Sequence, residues 1–200
     1  MSSKILCKTN IALIGKRDSE KNILIDYIKK IGTAIKQKDE FGKFRIVFNS
    51  IPLKVNLISE KSINVLLEKF PWFEDLDSLI LIVNVNDSNA IKEINNLELF
   101  EKLKKLKFQG VSALIGIDSP IINDGDKVSN QKITDDELIE ISKNLNFIYC
   151  FKINGLEDNI SEIFQKVFEH VILKFKLMNP ELYEKAKAYG LKIINAEAKK

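Results

Sequence analysis

The sequence predicts an α/β fold: a six-stranded, mostly parallel sheet with helices on both faces. Three observations predict it. Short apolar runs alternate with longer stretches of helical period along the chain. The strongest runs, 78–85 (SLILIVNV) and 111–117 (VSALIGI), are apolar without alternation, as strands buried on both faces are. One pair of runs, 43–48 and 53–58, is separated only by Asn49-Ser50-Ile51-Pro52, a hairpin turn that puts one antiparallel strand at the sheet edge.

The elements follow in order. Residues 10–15 (NIALIG) form an apolar run ending in Gly, a buried strand feeding a loop. Over 19–31, Ile23, Leu24, Tyr27, Ile28 and Ile31 recur at helical spacing, and Gly32 stops the helix. The hairpin comes next, then a helix over 60–70 that Pro71 ends. After the 78–85 strand, Ile91, Ile94, Leu97, Leu103 and Leu106 place a helix over 91–108. A polar loop with Gly125 over 120–130 follows the 111–117 strand. Thr134-Asp135-Asp136-Glu137 is a capping box opening a helix to Leu145. Residues 147–151 read as the last strand, and apolar residues from Ile160 to Phe175 line one face of a long helix. In Asn179-Pro180-Glu181 the Asn caps, Pro suits the first position and Glu favours the dipole, so a further helix starts there. The organisation is thus one domain over 1–178 with a helical extension over 179–200.

Composition excludes several functions. The apolar fraction of 45% and charged fraction of 30% are those of a globular domain, and a net charge of +3 spread over both signs does not point to nucleic acid. The first ten residues, MSSKILCKTN, carry no apolar run for a signal peptide or spanning helix. With no prenylation box and Ser2 where myristoylation needs Gly, no stable membrane anchor is expected. Cys7 and Cys150 stand far apart, without CxxC and with one His in the chain, so no metal site is expected. Two buried, reduced thiols in a cytoplasmic protein are the expectation.

Three local motifs carry a family resemblance. Ile14-Gly15-Lys16-Arg17-Asp18-Ser19-Glu20-Lys21-Asn22 lies between the first strand and first helix, and Gly15 and Lys21 keep the GxxxxGK spacing of a phosphate loop. The stretch FPWFEDLDSLILIVNVNDSNAI places an aromatic-rich turn before a strand ending in Asn-Asp. Tyr149-Cys150-Phe151-Lys152 precedes the long helix where a TSAK sequence would stand. In this element order, with the hairpin after the first helix, residues 9–177 resemble the Ras-like small GTPases of Arf and Rab type. The resemblance implies that fold and, if nucleotide binding is retained, contacts from Gly15, Lys16, Lys21, Asn22 and Lys152 to GTP or GDP with magnesium.

The departures from the family's motifs imply otherwise. The second Gly of the phosphate loop is Glu20, and the magnesium-ligating Ser or Thr is Asn22. A carboxylate facing phosphate at ~5 Å costs roughly 1–3 kcal/mol per charge pair at an effective dielectric of 20–80; turning Glu20 toward Lys16 or Lys21 would reduce this. Where DxxG belongs the chain has Ile58-Ser59-Glu60-Lys61-Ser62, and NKxD becomes Ile117-Asp118-Ser119-Pro120, with no carboxylate at the guanine-reading position. The expectation is a degenerate small GTPase, a pseudo-GTPase without catalytic residues, cofactor or efficient GTP hydrolysis. It would act as a protein-interaction or scaffold subunit; the alternative is an atypical GTPase that still switches on GTP and GDP.

Other residues admit two readings each. Lys21 either reaches a β-phosphate or is a surface lysine at a helix start, and Thr33 is a switch threonine or a plain loop residue. Trp72 and Phe73 present an aromatic patch to a protein partner or pack on their own domain. Leu182, Tyr183 and Tyr189 give the tail an apolar face that docks a partner or folds back. His170, with no Ser, Cys or Asp constellation identifiable, reads as structural or exposed, and Lys102, Lys104, Lys105 and Lys107 either face acidic lipid or protein or form an ordinary solvated helix face. A flavodoxin- or receiver-like domain is a rival from another class, but it gives no reason for the hairpin.

Overall fold

The computed structural model describes residues 6–34, 42–69, 75–87, 101, 108–118, 132–154 and 157–198. In chain order the described elements are β1 (Cys7–Ile14), α1 (Asp18–Ile31), β2 (Thr33–Ala34), β3 (Gly42–Phe48), β4 (Ile51–Glu60) and α2 (Ile63–Lys69). Then come β5 (Ser78–Asn84), β6 (Val111–Ile117), α3 (Asp135–Asn144), β7 (Tyr149–Ile153), α4 (Glu157–Met178) and α5 (Pro180–Glu197). Trp72, Phe73, Pro71, Pro120, the 120–130 loop, Lys102, Lys104, Lys105, Lys107 and nearly all of the helix expected over 91–108 lie outside the described residues.

The strands form one sheet in the order β2-β3-β4-β1-β5-β6-β7. β4, β1, β5, β6 and β7 run parallel, and β3 pairs antiparallel with β4. The expected sheet is therefore present, with one correction: the two-residue β2 pairs outside β3, through Thr33 with Arg45, and so takes the edge position. Thr33 belongs to that strand and not to a loop.

Side-chain alternation explains the two cores. On β1, Ile11 and Leu13 face one side of the sheet, and Ala12 and Ile14 the other. The first side is covered by Leu24 and Ile28 of α1 and by Ile160, Ile163, Phe164, Val167, Phe168 and Val171 of α4. The second is covered by Ile63 and Leu66 of α2 and by Leu138 and Ile141 of α3. β5 and β6 are buried at every position, which is why their sequences lack alternation.

The hairpin turn is shorter than expected. Only Asn49 and Ser50 form it, with φ of 49° and 61°, the left-handed pair of a two-residue turn whose twist matches the strands. Ile51 and Pro52 belong to β4. Phe48 and Ile51 close the turn, so the next pair, Val47 with Pro52, exchanges no ladder bonds and the missing Pro52 N–H faces the β1 side. Pairing with β1 begins only at Leu53, so no ladder bond is lost. Smaller shifts occur at other ends: α2 spans Ile63–Lys69, and the last strand is Tyr149–Ile153, two residues later than expected.

At α3 the capping box is complete. Thr134 Oγ1 accepts from Glu137 N at 3.2 Å, and Thr134 N donates to Glu137 Oε2 at 2.8 Å. At α5, Pro180 does occupy the first turn, but Asn179 makes no side-chain cap bond. α5 folds back across β4 and α4. Ala186 is fully buried, Leu182, Tyr183 and Tyr189 are half-buried, and Tyr183 packs edge-on to Phe175. Gly190 is the point of closest approach: a Cβ there would lie 1.9 Å from the Ser50 carbonyl oxygen. Among the described residues no helix is long and apolar enough to cross a membrane.

Candidate functional site

Counting only the parallel strands, the order β4-β1-β5-β6-β7 reverses at β1. In open α/β sheets ligands bind outside the carboxyl ends of the strands at such a reversal, here between β1 and β5. The segments that meet there are 15–17 after β1, the first turn of α1, the end of β4, and 85–87 after β5.

The segment after β1 is tight. α1 begins at Asp18, with Arg17 extended before it, so Asp18, Ser19 and Glu20 are helical and only Gly15, Lys16 and Arg17 are left as loop. A phosphate cradle needs a run of loop N–H groups ahead of the helix, and here helix replaces half of it. Gly15 sits close against β5: a Cβ there would stand 3.2 Å from both Ile82 Cβ and Ile82 O, tighter than ordinary van der Waals contact. Its N–H donates to the Glu60 carbonyl at 3.1 Å.

The first turn of α1 gives two residues surroundings that neither of their readings included. Lys21 is not a surface lysine: it is 1% exposed, and its Nζ donates to the Glu60 carbonyl at 3.1 Å and pairs with Asp18 Oδ1 at 3.0 Å. Glu20, also buried, turns to neither Lys16 nor Lys21 but accepts from Asn84 Nδ2 at 2.9 Å. Both residues lie one turn before Leu24 on the stripe that Leu24 and Ile28 bury, so the helix carries them inward. Burial pushes the Glu20 carboxyl above its ordinary value, and the Asn84 bond offsets part of that rise. The hydrogen bond from Lys21 holds the Asp18 carboxyl low.

Neighbouring groups are joined in the same manner. The Glu60 side chain, itself buried, pairs with Lys69 of α2 at 3.2 Å. Arg17 reaches Asp87 at 4.0 Å. Asn84 Oδ1 accepts from Asn86 N at 2.9 Å, and Asn86 Nδ2 donates to Asp118 Oδ1 at 2.9 Å. Asp118 also pairs with Lys132, whose hydrogen bond is the main reason its carboxyl lies below the usual range. Lys152 pairs with Asp135 at the start of α3.

Of the nucleotide-site candidates, Gly15, Lys16, Lys21 and Asn22 thus lie at the reversal, and Lys152 lies at the end of β7, tied to α3. Lys16 and Asn22 are exposed. Asp18, Asn84, Asn86 and Lys132 are partners that the sequence reading missed. The Asp18–Lys21 spacing of three on a helix was the available signal; the others join through the sheet. The cysteines carry no disulfide: Cys7 is buried and pushed up to about 12 by burial, with Asp77 adding to the rise, while Cys150 is half-buried, not buried, and shifted upward by burial. His170 is half-buried on α4. Among the described residues no group of three His, Cys, Asp or Glu is placed to hold a metal ion.

Glu20 supplies a pH-dependent prediction. A carboxyl raised on folding gives stability that is full below its ordinary value near 4.5 and lost as pH rises through the raised value. Glu20→Gln keeps an oxygen for Asn84 and removes the buried charge. It is expected to raise the melting temperature at pH 7, with wild type and variant converging near pH 4. A lower melting temperature for the variant at pH 7 would show that the ionised carboxylate is required.

No protein-family model matches this chain, and no curated protein matches it.

Proposed function

We propose that this chain is a degenerate, Ras-like small GTPase domain that serves as a protein-interaction or scaffold subunit and does not hydrolyse GTP efficiently. One observation carries the reading: Lys21, the residue at the phosphate-binding lysine position, is buried and engaged by Asp18 and the Glu60 carbonyl. The first turn of α1 and the end of β4, which a nucleotide would bridge, are already joined by Lys21 Nζ on the Glu60 carbonyl, the same oxygen that takes the last ladder bond of the β1–β4 pair from Gly15 N–H. A switch needs two states that a ligand favours unequally; a direct bond across the site favours one state with no ligand.

The strand order supports the Ras-like reading over a flavodoxin- or receiver-like one. Those share the parallel order, but the antiparallel β3 beside β4 has a counterpart only in the former. The base-reading end supports the loss of nucleotide as well, since Asp118 is taken up by Lys132 and Asn86.

The test is to denature freshly purified protein and assay the released small molecules for GDP and GTP. The expected result is substoichiometric nucleotide. Release of one nucleotide per chain would favour the alternative, an atypical GTPase that retains GTP or GDP.

A further inference from the structure

We propose that Asp18 is an internal counter-ion that plugs the start of α1, occupying on Lys21 the place that a phosphate-class anion would otherwise take. The inference rests on the functional reading above and names the device that enforces it.

Lys21 is an ammonium group 1% exposed, and a buried cation persists only where opposite charge and acceptors surround it. Its two acceptors differ in kind. The Glu60 carbonyl is main chain, fixed at the end of β4 and shared with Gly15 N–H. Asp18 is a side chain, 71% exposed, at the first position of the same helix. It can swing into solvent without disturbing either core, so it is the replaceable one. Glu20, the nearest other carboxylate on α1, is directed away, to Asn84. Removal of Asp18 therefore leaves Lys21 with the Glu60 carbonyl as its one remaining direct acceptor among the described residues, at the start of a helix whose dipole also favours negative charge. In the wild type a free anion competes with a carboxylate tethered one turn away, whose effective concentration is at least on the order of mM, so the binding of free phosphate is weakened.

The experiment measures binding of inorganic pyrophosphate to the full chain by thermal shift, with sodium chloride at matched ionic strength as reference. Wild type is expected to respond no more to pyrophosphate than to chloride. Asp18→Ala is expected to bind pyrophosphate at least about tenfold more tightly than wild type, and Asp18→Ala with Lys21→Met to lose that gain. A folded Asp18→Ala chain that matches wild type overturns the proposal, as does a gain that survives Lys21→Met. If Asp18→Ala does not fold, Asp18→Asn, which keeps an acceptor for Lys21 without the charge, is measured in its place, and no gain there overturns the proposal equally. These outcomes are separate from the parent reading: tight, magnesium-dependent GTP binding by wild type removes that reading, whereas an inert Asp18→Ala removes only the plug.

Discussion

Truncation after Asn179 is expected to lower the melting temperature of the domain by roughly 6–20 °C. α5 buries Ala186 fully and Leu182, Tyr183, Tyr189 and Ile193 in part. A fully buried Leu or Ile side chain contributes about 1.5–3 kcal/mol, so this set contributes on the order of 3–5 kcal/mol, and a chain of this size loses about 2–4 °C per kcal/mol. Gly190→Val isolates the contact, because the Cβ position meets the main-chain carbonyl of Ser50, which cannot step aside as a side chain would. Overpacking of this kind costs about 1–3 kcal/mol. Unchanged melting of the truncated chain, with loss of a captured partner, would return Leu182, Tyr183 and Tyr189 to the docking role that the sequence left open.

Phe164→Ala carries the second large effect, about 3–5 kcal/mol in denaturant unfolding. Phe164 is 1% exposed, stacked on Tyr27 of α1 with centroids 5.6 Å apart and beside Phe168 at 5.8 Å. It thereby clamps α1 to α4, and α1 positions Glu20 and Lys21. The variant is expected to show a lower midpoint with an unchanged slope, the mark of a cavity in an intact fold. A loss below about 1 kcal/mol would mean that α1 and α4 do not share one core.

What the sequence made legible was local or strongly patterned. The apolar runs of β5 and β6 identify themselves because burial on both faces leaves no polar position. The Thr134–Glu137 box is readable because both partners lie within one turn. Pro52 misled because proline is common in turns, and only the pairing alternation of this hairpin makes it harmless in a strand. At the site, the altered motifs at Glu20, Asn22, Ile58 and Pro120 were visible, but their consequence was not. Lysine and glutamate are rarely buried, so the sequence offers Lys21 only as a phosphate ligand or a surface lysine, and Glu20 only as facing phosphate or a neighbouring lysine. Their true partners, the Glu60 carbonyl and Asn84, lie 39 and 64 residues away in sequence and reach them only because β4 and β5 flank β1. The pairings of Asp118 with Lys132 and of Lys152 with Asp135 are equally products of topology.

The central claim, that internal contacts have taken the place of nucleotide, is tested most directly by calorimetric titration of GTP with magnesium into micromolar protein. The expected result is no saturable heat and no difference when magnesium is withdrawn. Saturable binding at micromolar or lower concentration that disappears on chelation of magnesium would contradict the claim.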